Sequence, residues 1–466
     1  MKNSYDVVVI GAGSAGYAAA RTAAAEGASV LIVEGGREIG GLCILRGCMP
    51  TKALLETSHR LHEIRRARQF GIKVNKPAAL PLAIQKRRAW LIEDFASYRR
   101  DQLTKSKKFH FARARAAFIG THTLALNLLE SEKKRSVGFK KCIIATGSTV
   151  TPGGIPGIEK ITCWTSDHAI LAKKIPGSLT VLGGGAVAVE LAQHFFRLGS
   201  KVTILQRSGQ LLSGTDPDLA GVLRTAFERE GIRVITGCTV TAARKSGSKK
   251  IIDYLHEGRK RSVASEEVLF ARGRRPATEG LNCQAAGIEL DNDAVRVGPD
   301  MRTTNPDVFA VGDVNGLLEV VHIAIQQGEI AARNAVRGTD EKWDDRLKTL
   351  VVFTDPNIAT VGLSEAECTR RGIPFVSASY PFADHGKSMI RGAFLGHVKM
   401  IASPENGRIL GAAVAGPEGG ELIHEIIVAM ASSLTVREFA AIPHYHPTLS
   451  EIWTYPAEDI LEKISR

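Results

Sequence analysis

The chain has 466 residues, 44% of them hydrophobic and 23% charged, with a formal net charge of +13. That length predicts about three domains, the composition excludes a disordered chain, and no apolar run is long enough to span a bilayer. The seven cysteines, at 43, 48, 142, 163, 238, 283 and 368, are an odd number without framework spacing. This suits a reducing compartment, and with no leader ahead of the first strand the expected location is cytoplasmic.

Val7-Val8-Val9-Ile10 reads as a short buried strand running into Gly11-Ala12-Gly13-Ser14-Ala15-Gly16. An alanine-rich helix follows from Tyr17 to Glu26, then a second strand from Ser29 to Val33 that ends on Glu34. Strand, glycine loop, helix and acid in this order form a dinucleotide fingerprint. Gly11, Gly13 and Gly16 let backbone approach a pyrophosphate at a helix N-terminus, and the Glu34 carboxylate reaches a ribose hydroxyl.

The next stretch runs from Gly40-Gly41-Leu42-Cys43 to Gly47-Cys48-Met49-Pro50-Thr51-Lys52. In a regular helix, cysteines with this spacing have Cα atoms roughly 8 to 9 Å apart, beyond disulfide reach, so a bond between them needs an irregular turn. Gly47 and Pro50 make such a turn plausible at the entrance to a helix through Ala53-Leu54-Leu55-Glu56. So small a ring restricts the unfolded chain by only about 2 kcal/mol, which favours a reactive dithiol over a structural staple. A metal site would need a second tight pair of ligands, and none is nearby. Buried structural cysteines remain an alternative.

From Ala53 to about Ala116 the pattern predicts two long helical stretches broken around Pro77 and Pro81. Arg65-Arg66, Lys86-Arg87-Arg88, Arg99-Arg100 and Lys105 to Lys108 concentrate positive charge there. The stretch lacks the interleaved aromatics of a nucleic-acid module. It reads as solvated helix faces or as a docking surface for an acidic protein or anionic substrate. A β-rich piece then ends at Cys142-Ile143-Ile144-Ala145-Thr146-Gly147-Ser148.

Leu179 to Leu182 opens a second βαβ unit, with Gly183-Gly184-Gly185 in its loop, a helix from Val189 to Leu198 and a strand from Lys201 to Leu205. Gln206 stands at the offset from Gly183 that separates Glu34 from Gly11. An acid there would bind a 2′-hydroxyl and repel a 2′-phosphate, whereas neutral Gln206 beside cationic Arg207 leans toward NADPH, with NAD still open. Further on, Thr303 to Val311 leads to Gly312-Asp313, an acid at a strand end, where open α/β sheets place ligands. From about Lys348 alternating β segments precede an apolar helix from Glu421 to Ser432. Pro443-His444-Tyr445-His446-Pro447-Thr448-Leu449-Ser450-Glu451 closes the reading. An imidazole held in one tautomer by a carboxylate suits deprotonation of a thiol near neutral pH, and His446 with Glu451 supplies such a pair. A metal site or a plain loop are the other readings of the two histidines.

The Gly40 to Lys52 motif resembles that of the class I flavoprotein disulfide reductases, and His446-Pro447-Thr448 with Glu451 is closest to the dihydrolipoamide dehydrogenase branch. The resemblance implies an α/β fold with two Rossmann-like domains, for FAD and NAD(P), and a C-terminal α+β dimerisation domain. Its expected boundaries are 1–148 for the first part of the FAD domain, 149–273 for the NAD(P) domain, 274–347 for the second part of the FAD domain and 348–466 for the interface domain. It further implies FAD contacts from Thr146, Gly147 and Asp313, a return crossover at Gly273, nucleotide contacts from Gly183 and Gly185, and an ion pair of Lys52 with Glu190 near the flavin. Electrons would pass between NAD(P)(H) and a lipoyl-type dithiol through a Cys43-Cys48 disulfide, with Cys43 the exchanging sulfur, in a homodimer whose His446 serves the other subunit's site. His444 would support His446. Small-disulfide reduction, mercuric reduction and a non-enzymatic redox sensor are the alternatives. Leu42, Ile44-Leu45-Arg46 and Met49 depart from the family's commoner residues, which points to an altered substrate or potential.

Overall fold

The computed structural model describes residues 1–131, 133–150 and 153–465. Positions 132, 151, 152 and 466, which fall within the expected domain spans above, lie outside the described residues. The elements begin β1 (Ser4–Ile10), α1 (Ser14–Ala25), β2 (Val30–Glu34), α2 (Gly41–Leu45), α3 (Cys48–Arg66), α4 (Pro81–Thr104), β3 (His110–Gly120), β4 (Thr123–Leu128) and β5 (Lys134–Ile144). The chain divides into two compact units: Met1–Ala53, Gln85–Thr151 and Gly273–Trp343 form the first, and Leu54–Ile84, Pro152–Arg272 and Asp344–Arg466 the second.

In the first unit, β1 pairs in parallel with β2 on one side and with the C-terminal half of β5 on the other. Val308–Ala310 extends the sheet beyond β5, also in parallel. Val7, Val8, Val9 and Ile10 are at most 4% exposed; a central parallel strand is covered on both faces, which explains an unbroken β-branched run. On one face lies α1. Its alanines are short enough for another helix, Val321–Arg337, to come close: a Cβ added at Gly328 would stand 2.5 Å from the Ala15 carbonyl oxygen.

The helical expectation for 53–116 runs too far. Residues 110–116 belong to β3, whose first half pairs in parallel with β2 and whose second half pairs antiparallel with β4. Alanine and arginine favour helix locally, but two neighbouring strand edges offer this segment backbone partners and a buried face, and tertiary pairing overrides propensity.

In the second unit, Glu267–Phe270, Ser178–Leu182, Lys201–Leu205 and Arg233–Ile235 form, in that order, a four-stranded parallel sheet. The helix Ala186–Leu198 follows the first of these in the chain, Ser178–Leu182. The same unit holds a three-stranded antiparallel sheet over 239–265 and a five-stranded antiparallel sheet over 349–416. Helices Gly419–Ala431 and Thr454–Ile464 share the core of the latter. There Trp453 is fully buried and donates its indole N–H to the Leu422 carbonyl at 3.1 Å.

Candidate active site

The dithiol is built by an interrupted helix. α2 ends at Leu45, Arg46 takes a φ of −145° that no helix accommodates, and α3 begins on Cys48. The two cysteines therefore sit on two short-coupled helices, and their side chains hydrogen-bond each other as thiols. The irregular turn that a bond between them needs is this break. Gly41, with a φ of +77°, is required for a second reason: a Cβ there would come 2.5 Å from the Gly13 Cα, so the redox turn rests on the nucleotide loop.

The strongest effects on the Cys43 thiol, its hydrogen bond with Cys48, its burial and the charge of Cys48, all raise its pKa. The Met49 N–H in the first turn of α3 pulls it down by stabilising the thiolate.

The glycine loop after β1 has the shape of a phosphate cradle. Gly11 takes a φ of +104° with the Ala145 carbonyl oxygen 2.3 Å from where a Cβ would stand, and a Cβ at Gly16 would meet the Gly11 oxygen at 1.9 Å. The N-terminus of α1, capped by Gly13, has no side-chain cap, so its N–H groups are available to an anion. Glu34 accepts from the Ala12 and Gly36 N–H groups at 2.9 and 2.6 Å, which fixes its carboxylate beside that loop.

Facing crossovers complete this side. Ser148 donates to Asp313 at 2.6 Å, and Arg274 donates to the Ser148 hydroxyl and carbonyl, both at 2.7 Å. Ala277 N–H bonds the Gly147 carbonyl at 2.9 Å. The Thr146 hydroxyl is buried without a partner among the described residues. A glycine cradle, an uncapped helix and an orphaned buried hydroxyl together fit a dinucleotide such as FAD. Sequence reading missed Arg274 as the tie to Ser148, although the residue directly follows Gly273 of the return crossover.

The second loop repeats the design. Gly183 has a φ of +115°, with the Ala271 oxygen 2.2 Å from where its Cβ would stand, and Gly185 begins its helix without a side-chain cap. Gln206 lies against Gly184, where a Cβ would touch its side chain at 3.0 Å, and Arg207 beyond it is exposed. Glu190 is 2% exposed and accepts from the Phe353 N–H at 2.9 Å. Lys52 stands in the first turns of α3.

In the second unit, His446 Nδ1 lies 2.9 and 3.1 Å from the two Glu451 oxygens. Fully buried His385, which sequence reading missed, places Nε2 3.3 Å from Glu451 Oε1 and Nδ1 2.8 Å from the Ser388 hydroxyl. Burial holds the His385 pKa below its ordinary value, so it meets Glu451 as a neutral ring. His444 has its own carboxylate, Glu425, at 2.5 Å. Among the described residues no group of three or more histidine, cysteine or acidic side chains is arranged to hold a metal ion. No helix there is long and apolar enough to cross a membrane.

Much of the positive charge between 60 and 115 is engaged within the protein. Arg65 donates to the Arg197 carbonyl, Arg66 to that of Gly392, Arg100 to Glu93 and Lys105 to Asp101. Lys86 is exposed on α4, as is Arg87, which donates to the Ala53 carbonyl at 3.3 Å.

Residues 5–328 match the pyridine nucleotide-disulphide oxidoreductase family, and 349–457 match its dimerisation domain. A dihydrolipoyl dehydrogenase of Thermus scotoductus is 36% identical over 96% of this chain and 95% of its own. A mercuric reductase of Bacillus cereus is 30% identical over 96% of this chain and 70% of its own. Among solved structures, the HOCl-induced flavoprotein disulfide reductase RclA from Escherichia coli superposes with a TM-score of 0.84 at 26% identity, covering 97% of this chain and 99% of that one.

Proposed function

From the premise that this chain belongs to the pyridine nucleotide-disulphide oxidoreductases, a family of FAD-dependent enzymes that use NAD(P), we propose that it moves electrons between NAD(P)(H) and a lipoyl-type dithiol through Cys43 and Cys48. The observation that carries this reading is the direct contact of the two cysteine side chains across the break between α2 and α3, on a turn that rests against the nucleotide loop. FAD, when bound, relays an electron pair between the nicotinamide and the cysteine pair.

Gly11, Gly13 and Gly16 with the α1 N-terminus would hold its pyrophosphate, Glu34 its ribose, and Thr146, Gly147 and Asp313 the part nearer the ring; Gly273 and Lys52 complete that set. Gly183 and Gly185 would hold the nicotinamide cofactor's pyrophosphate. Glu190, buried on the same helix, keeps its carboxylate on the Phe353 N–H.

With the cysteine pair oxidised, a substrate thiol gives its proton to His446 Nε2, since Nδ1 is engaged by Glu451. Its thiolate attacks Cys43, forming a mixed disulfide and releasing Cys48 as thiolate. The second substrate thiol then attacks the substrate sulfur and passes its proton to the departing Cys43 sulfur, closing the substrate disulfide and leaving Cys43 as a thiol. Two electrons have passed to the cysteine pair. In the opposite direction Cys43 thiolate attacks the substrate disulfide. In the homodimer, on this reading, His446 and Glu451 of each subunit serve the other's cysteines, and an acidic lipoyl carrier would meet exposed cations such as Lys86 and Arg87. A reducing, cytoplasmic setting keeps such a dithiol poised.

Neutral Gln206 and exposed Arg207 support NADPH over NADH, because a guanidinium pairs with a 2′-phosphate that an acid would repel. The test is anaerobic turnover of the purified flavoprotein with dihydrolipoamide, glutathione disulfide and Hg(II), each with both nicotinamides. Fastest turnover with dihydrolipoamide or lipoamide supports the proposal; faster turnover with either other substrate replaces it.

A further inference from the structure

Arg99 on α4 has no place in the chemistry above. Its guanidinium lies over the Tyr17 ring, with Cζ 4.2 Å from the centroid, and its Nη1 is buried with no hydrogen-bond partner among the described residues. Arginine does not shed its proton in proteins, and a buried N–H without an acceptor has lost its water for nothing in return. Such a group asks for an anion.

The ring beneath it says where that anion is. Tyr17 lies one helical turn beyond Gly13, its N–H bonded to the Gly13 carbonyl at 2.9 Å, and Gly13 is the residue on which Gly41 of the redox turn rests. Cys43 follows Gly41 by two residues. The Tyr17 hydroxyl bonds Gln102 of α4 at 3.1 Å, which ties the platform to the helix that carries Arg99. The charges of Arg99 and Cys43 act on each other, the guanidinium favouring the thiolate. The other groups acting on Arg99 are Tyr17, Tyr98 and Arg21, the last a second cation paired with Glu329 at 3.1 Å. Facing Cys43 itself are Cys48 and the Met49 N–H. Of all these, the group that becomes an anion during disulfide exchange next to Arg99 is Cys43.

We propose that Arg99, seated on Tyr17, is the resident counter-cation of the Cys43 thiolate and so a positioning residue for disulfide exchange; the inference rests on the exchange role given to Cys43 above. In the reducing direction the Cys43 thiolate forms a bond to a substrate sulfur, the substrate S–S bond breaks, and the departing sulfur leaves as thiolate and takes the proton held on His446 Nε2. The electron pair is the one held by the reduced cysteine pair. Arg99 carries no proton in this step; it keeps the attacking sulfur charged until the bond forms.

The test uses full-length holoenzyme in a Cys48→Ser background, where Cys43 titrates without its partner, and follows iodoacetamide alkylation of the Cys43 peptide by mass spectrometry as a function of pH. Arg99→Gln is expected to move the alkylation midpoint upward by about one pH unit, Arg99→Lys to restore most of the shift, and Tyr17→Leu to move it part of the way. An unmoved midpoint in Arg99→Gln overturns the proposal. So does a change confined to the kcat/KM ratio for lipoate over lipoamide in the Cys48-containing enzyme, which would make Arg99 a ligand for a substrate carboxylate. Failure of the functional reading shows separately, as wild-type enzyme without turnover on any disulfide or dithiol, because alkylation requires none.

Discussion

Glu451 holds His446 by its Nδ1 at 2.9 Å, and the two differ sharply in exposure: the carboxylate side chain is 9% exposed and the imidazole 77%. A buried acid thus orients an exposed imidazole. Glu451→Gln should keep the flavin but lower dithiol turnover by about a hundredfold or more, since the ring loses both its fixed tautomer and its counter-charge. Steady-state kinetics over pH with flavin content measured in parallel checks this; unchanged kcat at full flavin occupancy would remove His446 from the mechanism.

Cys43 and Cys48 have separate tasks on the proposed reading. Cys48→Ser and Cys43→Ser should each retain the yellow, flavin-bound protein and lose turnover on every disulfide, because neither single thiol can close the intramolecular bond. Appreciable dihydrolipoamide oxidation by either variant would show that the pair is not the carrier.

Nicotinamide choice is predicted to follow Arg207. Arg207→Ala should lower kcat/KM for NADPH by about tenfold or more and leave NADH nearly unaffected, the size of one lost charge-assisted contact. Gln206→Glu should lower the NADPH value further by repulsion. Equal effects on the two cofactors would mean that Arg207 does not read the phosphate.

A buried ion pair lies within the second unit. Arg197, 1% exposed, donates to Glu230 at 3.0 and 2.6 Å and to Asp355 at 2.8 Å. Removing one partner of a buried pair strands the remaining charge, so Glu230→Ala should cost about 3 kcal/mol or more in denaturant unfolding. A loss below about 1 kcal/mol would show that Asp355 alone suffices.

His194 is 2% exposed, and burial holds its pKa down at about 4, from 6.5 for a free imidazole. Between these values the unfolded chain binds the proton and the folded one does not. Stability therefore falls as pH drops from about 6.5 toward 4, by up to about 1.4 kcal/mol per pH unit from this residue. His194→Gln should flatten the pH dependence of the urea midpoint in that window. An equally steep profile in the variant would assign the acid sensitivity elsewhere.

The legibility of this chain in its sequence varied with the range of the interaction. The strands around Val7 to Ile10 and Leu179 to Leu182 announce themselves because a doubly covered parallel strand has to be apolar at every position. The glycine loops are equally plain, since the oxygens of Ala145 and Ala271 leave no room for a Cβ at Gly11 or Gly183. The segment from His110 to Ala116 misleads for the opposite reason: its composition favours helix, and only the edges of β2 and β4 make it a strand. His385 stands in no motif, and only the fold brings it to Glu451.

A bond across the Cys43–Cys48 spacing requires a broken helix, and the two repeated strand-loop-helix patterns determined a pair of dinucleotide domains, because these are constraints between residues a few positions apart. The seating of Arg99 on Tyr17 was decided only by folding. Arg99 reaches Tyr17 across 82 positions of chain (99 − 17), and no local rule of propensity or spacing carries the packing of one helix on another.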